Sequence, residues 1–235
     1  MRHPISKAAA GALFWLAGTA AAADDNKVVV ELFTSQGCSS CPPADAMLGE
    51  LAERDDVIPL ALHVDYWDYI GWADIFADPA YTRRQKGYAH ATGQRMVYTP
   101  QMVIDGQDHV IGSRPMEVLD LIRAHQEQAQ TVSISLEVEG DMLDVSITST
   151  GAVSAPCIVQ LVRYEPQETV EIETGENAGR TLDYVNIVTS WEVIGEWDGV
   201  SDFEAKVAHG GTNVAIIVQH VGYGPILAAA ARDLD

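Results

Sequence analysis

The sequence predicts an α/β domain followed by an all-β, sandwich-like domain. Two patterns carry that division. Val28–Thr34 and Val57–Val64 are near-continuous apolar runs separated by a helical stretch, as in parallel strands buried on both faces. From Val132 onward apolar and polar residues alternate, as in antiparallel strands with one wet face. A third observation trims the chain. Arg2 and Lys7, the apolar Ala8–Leu16 and the small residues Ala20–Ala23 have the composition of a secretory signal peptide, residues 1–23.

Within 24–129 the elements follow in order. Val28–Thr34 is the first strand. Met47, Leu48 and Leu51 sit at helical spacing in Ala44–Arg54, and Val57–Val64 is a second strand, expected to pair in parallel with the first. Asp78-Pro79 supplies an N-cap and a first-turn proline for a helix ending near Ala91. Gln101–Ile104 and His109–Ile111 flank Asp105-Gly106, a hairpin signal. Ser113 or Arg114 opens a last helix, with Met116, Val118, Leu119, Leu121 and Ile122 as its apolar face. The boundary falls near Ala129-Gln130.

In 130–235, Val132, Ile134, Leu136 and Val138 alternate with polar residues, turn at Glu139-Gly140-Asp141, and alternate again through Leu143, Val145 and Ile147. Further strand-like runs are Cys157–Tyr164, Thr169–Ile172, Tyr184–Val193, Phe203–Val207, Val214–His220 and Ile226–Ala231. Short strands at this spacing predict a β-sandwich.

The 235-residue chain has a formal charge of −20, and losing Arg2 and Lys7 with the leader takes it to −22. Such a surface repels polyanions, so nucleic acid and anionic membrane are excluded as partners once the leader is cleaved. The expected location is periplasmic or secreted, where disulfides persist. The sequence sets no oligomeric state.

Function rests on Cys38-Ser-Ser-Cys41, placed between the first strand and a helix. Two thiols three apart can close a small disulfide, and a helix N-terminus favours a thiolate. Pro42 and Pro43 remove two N–H donors near the sulfur and place the helix start at about Ser39 or Ser40, so the Cys38 pKa is expected to fall only modestly. With Cys38-Ser-Ser-Cys41 after a strand and Thr99-Pro100 before a strand and hairpin, the first half resembles the thioredoxin superfamily, in its glutaredoxin-like form. The string Phe33–Asp45 together with His63–Asp68 looks like a bacterial family of secreted thioredoxin-like proteins of unknown function. That resemblance implies a thioredoxin-like fold for 24–129, a cis Pro100 facing the cysteines, Cys38 as attacking thiol and Cys41 as resolving thiol. It makes Thr99 and Pro100 a binding edge for an extended substrate, which would be a protein or small-molecule thiol or disulfide. No cofactor and no resident metal are expected.

Other readings of the same residues stay open. The pair can be a structural staple in a non-enzymatic binding module, or hold copper(I) with help from His63. Zinc is disfavoured without a second cysteine pair. His63, Asp65, Tyr66, Trp67, Asp68 and Trp72 crowd the C-terminal end of the second strand. They can be a substrate platform, with Asp65 or His63 accepting the Cys41 proton, or an aromatic cap over the core. Arg83, Arg84, Lys86 and Arg95 read as a solvated helix face more readily than as an anion site. Cys157 reads as a buried core residue, and Glu176–Arg180 as a structural turn, with Asn177 and Arg180 the residues that can face the first domain.

Overall fold

The computed structural model describes residues 27–151, 153 and 156–234. The leader lies outside these residues. The described elements run β1 (Val28–Thr34), α1 (Pro42–Ala52), β2 (Val57–His63), a 3-10 turn (Asp68–Ile70), α2 (Pro79–Ala91), β3 (Gln101–Ile104), β4 (Asp108–Ile111) and α3 (Pro115–Gln126). Then follow β5 (Val132–Glu139), β6 (Met142–Ser149), β7 (Cys157–Ile172), β8 (Arg180–Trp197), β9 (Phe203–Ala208), β10 (Asn213–His220) and β11 (Ile226–Arg232). No described helix is long and apolar enough to cross a membrane.

The local signals in the first half hold closely. The β1–β2 pair is parallel. Asp78 caps α2 by accepting from the Ala80 amide, with Pro79 as first helical residue. Asp105 and Gly106 both take positive φ, 45° and 68°, the geometry their hairpin turn requires. Two local readings need correction. Helix α1 begins at Pro42, not at Ser39 or Ser40, with Cys41 as N-cap. The prolines take the first two helical positions, where their missing N–H groups would have had no helical partner. Met116, expected on the apolar face of α3, is 69% exposed, while Val118 and Ile122 are buried.

The expected fold class is overturned. There is no thioredoxin-like core followed by a separate β-sandwich. Eight strands from both halves form one mixed sheet in the order β11-β10-β7-β8-β2-β1-β3-β4, and a second sheet has the order β5-β6-β9. The junction is parallel pairing of β2 with β8 at Ala61 and Ile187. Beside it Asn186, at φ 47°, donates from Nδ2 to the Pro59 carbonyl at 2.9 Å. The physical reason lies in β10. Asn213 to Gln219 are all buried, because α2's side of the sheet covers one face of that strand and the small sheet covers the other. A sandwich strand would keep one wet face. Cys157–Tyr164 and Thr169–Ile172 also merge into the single long β7.

One face of the large sheet carries Val29, Phe33, Ile58, Leu60, Val162, Ala215 and Ile217 against Tyr81 and Tyr88 of α2. On the other face, α1 and α3 cover Val28, Val30 and Leu32, while the small sheet covers Val159, Leu161, Val214 and Ile216. The sheet also curls. β11 comes within 8 Å (Cα–Cα) of β1 and β2, and the Ile226 amide donates to the Asp105 carbonyl at 2.8 Å.

Candidate functional site

Strand β1 delivers the chain to the carboxyl end of the parallel β1–β2 pair, where Ser35–Cys41 forms tight turns before α1. The Cys38 amide donates to Ser35 O and the Cys41 amide to Cys38 O, at 3.0 and 3.2 Å. Cys38 and Cys41 are joined as a disulfide. Both are covered: Cys38 is 2% exposed and Cys41 0%. With Pro42 and Pro43 lacking N–H groups, the first α1 amides, of Ala44 and Asp45, both turn back to Cys41 O, at 2.8 and 3.1 Å. Ser40 Oγ is the polar group on the Cys38 sulfur, at 3.4 Å.

Thr99–Pro100 is a cis peptide. Because β1 and β3 pair with Phe33 opposite Gln101, Pro100 sits at the sheet end where β1 leads into the cysteines. Trp67 Nε1 donates to Thr99 Oγ1 at 2.7 Å, tying the segment after β2 to this edge. Tyr66 donates to Gln85 on α2 at 3.1 Å, and burial pushes its phenol up to about 12. Asp65 accepts from the Thr82 hydroxyl at 2.5 Å and so is engaged by α2. His63 is wholly buried, with Nδ1 2.7 Å from Asp74 Oδ2. The structure therefore joins Tyr66, Trp67, Thr99 and Pro100 at one edge, with Tyr66 and Asp65 also held by α2.

Several site residues were not singled out in the sequence. Asp45 lies one helical turn beyond Cys41. It is buried, and accepts from Thr34 Oγ1 at 2.6 Å. Burial raises its carboxyl from 3.8 to about 7, against the opposing pull of the Thr34 hydroxyl. Asp74 accepts from the Gln36 amide at 2.8 Å as well as facing His63. Tyr184 of β8 packs edge-on to His63, with ring centroids 5.0 Å apart. Gln36 Nε2, Asp45 Oδ2, His63 Nε2 and Tyr184 Oη are buried polar atoms with no protein hydrogen-bond partner. Among the described residues, no group of three or more His, Cys, Asp or Glu is arranged to hold a metal ion.

The turn joining β7 to β8 covers the cysteines. Asn177 Nδ2 donates to both Gln36 O and Cys38 O, at 2.9 and 3.0 Å, and Arg180 donates to Asn177 Oδ1 at 3.1 Å. Thr174 Oγ1 donates to Gly71 O at 2.5 Å, and Gly175 packs against Trp72 at a positive φ of 79°. The turn faces the first half of the chain and is more than a surface connection. Its flanking Gly175 and Gly179 mark a shaped turn, but nothing local says what it touches. Asp45 had one legible signal, a lone carboxylate on the apolar stripe of α1.

The basic cluster divides. Arg83, Lys86 and Arg95 are exposed, but Arg84 is buried and forms a two-pronged pair with Glu31 of β1, at 2.5 and 2.9 Å. The solvated-face reading fails for Arg84 because its position on α2 faces the sheet. Cys157 is buried at the start of β7, as expected.

Fold and site define a mixed-sheet protein with an oxidised CxxC pair at a helix start and a cis-proline at the same end of the sheet. The chain belongs to the family described as "Protein of unknown function (DUF1223)", whose model matches residues 29–219. It is similar to the crystal structure of a structural-genomics target protein from Agrobacterium tumefaciens. The two are 33% identical, with a TM-score of 0.77 over 89% of this chain and 95% of that one. No curated protein matches.

Proposed function

We propose that this is an exported thiol–disulfide oxidoreductase whose Cys38–Cys41 pair is the reacting group. The carrying observation is the disulfide at the start of α1 with the buried Asp45 one turn beyond Cys41, its carboxyl poised at about 7. The cis Thr99–Pro100 edge supports the reading, as does the likeness of this local arrangement to the thioredoxin superfamily.

In this scheme a substrate thiolate attacks Cys38 Sγ. The Cys38–Cys41 bond breaks, a substrate–Cys38 disulfide forms, and Cys41 leaves as a thiolate. Protonated Asp45, on the same face of α1 at i+4, supplies a proton to that thiolate. A second substrate thiolate attacks the substrate sulfur and releases Cys38, so two thiols become one disulfide and the protein holds two thiols. The reverse sequence reduces a substrate disulfide, with Asp45 taking the Cys41 proton. Pro42 and Pro43 offer no N–H to the Cys38 sulfur, so leaving-group protonation at Cys41 carries more of the catalysis.

The burial of both cysteines favours a second reading, a structural bridge in a binding module. A redox titration against glutathione and dithiothreitol buffers, with mass-spectrometric thiol trapping, separates the two. A potential above roughly −300 mV supports exchange chemistry, and one below it supports the staple. Detection of the protein in the periplasm or medium tests export.

A further inference from the structure

We infer that the cleft between the first turns of α2 and strands β7, β8 and β10 is a binding site for a small, uncharged aromatic molecule, separate from the cysteines. Its volume is about 370 Å³, within the range of small-ligand pockets. Trp191, Tyr81, Ile158 and Tyr223 supply apolar surface, and Val193 and Val221 form an exposed rim, at 57% and 46%.

The walls are held in place by unusual features. Tyr223 is a non-glycine residue at φ 62°, a conformation disfavoured for a bulky side chain. Its ring lies where a Cβ on Gly87 would come within 2.3 Å, so α2 admits it only because residue 87 has no side chain. It meets Tyr88 edge-on, with centroids 5.6 Å apart. Trp191 is fixed at both ends. Its Nε1 donates to Gln160 at 2.8 Å, and the Arg84 guanidinium stacks 3.7 Å from a ring centroid.

The floor decides the ligand's charge. Arg84 is neutralised by Glu31 and also donates to Tyr88 Oη, at 2.8 Å. Gln160 Nε2 donates to Gln219 Oε1, and Gln219 Nε2 to Tyr88 Oη, at 3.0 and 2.9 Å. No lining residue has a buried polar atom without a partner. The site therefore holds no unpaired charge for an anion or cation and no stranded donor to fix a polar ligand. What remains is an indole and a phenol facing an open cleft, and offset ring stacking is the interaction they offer.

The probe is the neutral fluorophore N-phenyl-1-naphthylamine, titrated into the full mature protein. Saturable binding to one site is expected, weakened at least tenfold by Val193→Glu, which places a charge on the exposed rim, and by Trp191→Leu. Circular dichroism and thermal melting identify variants that remain folded. Tyr223→Gly, which relieves the positive φ while removing the ring, should bind at least tenfold more weakly while remaining folded. The rate of disulfide reduction should be unchanged by Val193→Glu, so failure here is distinguishable from failure of the redox reading. Non-saturable binding, or affinity retained in folded Val193→Glu and Tyr223→Gly, overturns the site.

Discussion

Asn177→Ala tests whether the β7–β8 turn controls access to the disulfide. The substitution removes both donations from Nδ2, to Gln36 O and Cys38 O, and leaves Arg180 without its acceptor. A neutral hydrogen bond contributes about 0.5–1.5 kcal/mol net, so two contribute about 1–3 kcal/mol. If reduction proceeds through brief lifting of the turn, that difference multiplies the open population, and hence the rate, by about 5–150. The assay follows reduction by excess dithiothreitol, with samples quenched by an alkylating reagent and weighed by mass spectrometry. Asn177→Asp is the sharper companion, since it sets carboxylate oxygens against two carbonyls and should accelerate reduction at least as much. Rates within about twofold of the parent in both variants refute the latch, since the magnitude expected from two hydrogen bonds is larger.

The remaining predictions concern stability. Asp45 has its folded carboxyl raised from 3.8 to about 7, so its contribution is full below 3.8 and lost as pH rises through about 7. At 1.36 kcal/mol per unit the loss approaches about 4 kcal/mol; Asp45→Asn should flatten this slope in urea melts across that range, and an unchanged slope would sink the assignment. The His125 imidazole sits between Asp105 and Asp108, at 3.3 and 2.8 Å, and its hydrogen bond to Asp105 raises its pKa. Its stabilisation is full below the ordinary histidine value and fades as pH rises through the raised one. His125→Gln should therefore destabilise by about 1.5–3 kcal/mol near pH 5.5 and much less near pH 9, read from thermal melts. Arg84→Met leaves Glu31 buried and unpaired, and should lower stability by about 3–5 kcal/mol, most of it recovered in Arg84→Met/Glu31→Met. Equal melting of the single and double variants would contradict that account.

Much of the first half was legible because its signals are local. Asp78-Pro79 and Asp105-Gly106 specify a helix start and a turn from adjacent residues alone. The sheet was not legible in the same way, since the pairing of Ala61 with Ile187 is a choice between strands far apart in sequence. Periodicity says that a strand is buried but not what buries it. The unbroken apolar run Val214–Val218 did carry a warning, because a sandwich strand would alternate. The cysteines and Thr99-Pro100 stood out by residue type and context. Asp74 did not, and Asn177 was legible only as a polar turn residue able to face the first half, for their importance comes from side chains and carbonyls brought near by the fold. The salt link of Arg84 to Glu31 was hidden for the same reason.

The cover over the cysteines recognises main chain rather than side chains. Asn177 grips the carbonyls of residues 36 and 38, groups that every amino acid supplies. Ser39 and Ser40, both exposed between the two sulfurs, can therefore be exchanged freely without loosening it. A saturation library across the site should show a lopsided map, broad acceptance at 39 and 40 and a narrow one at 177. The dipeptide between the cysteines is thus free of the cover's constraint, which falls instead on a residue far along the chain.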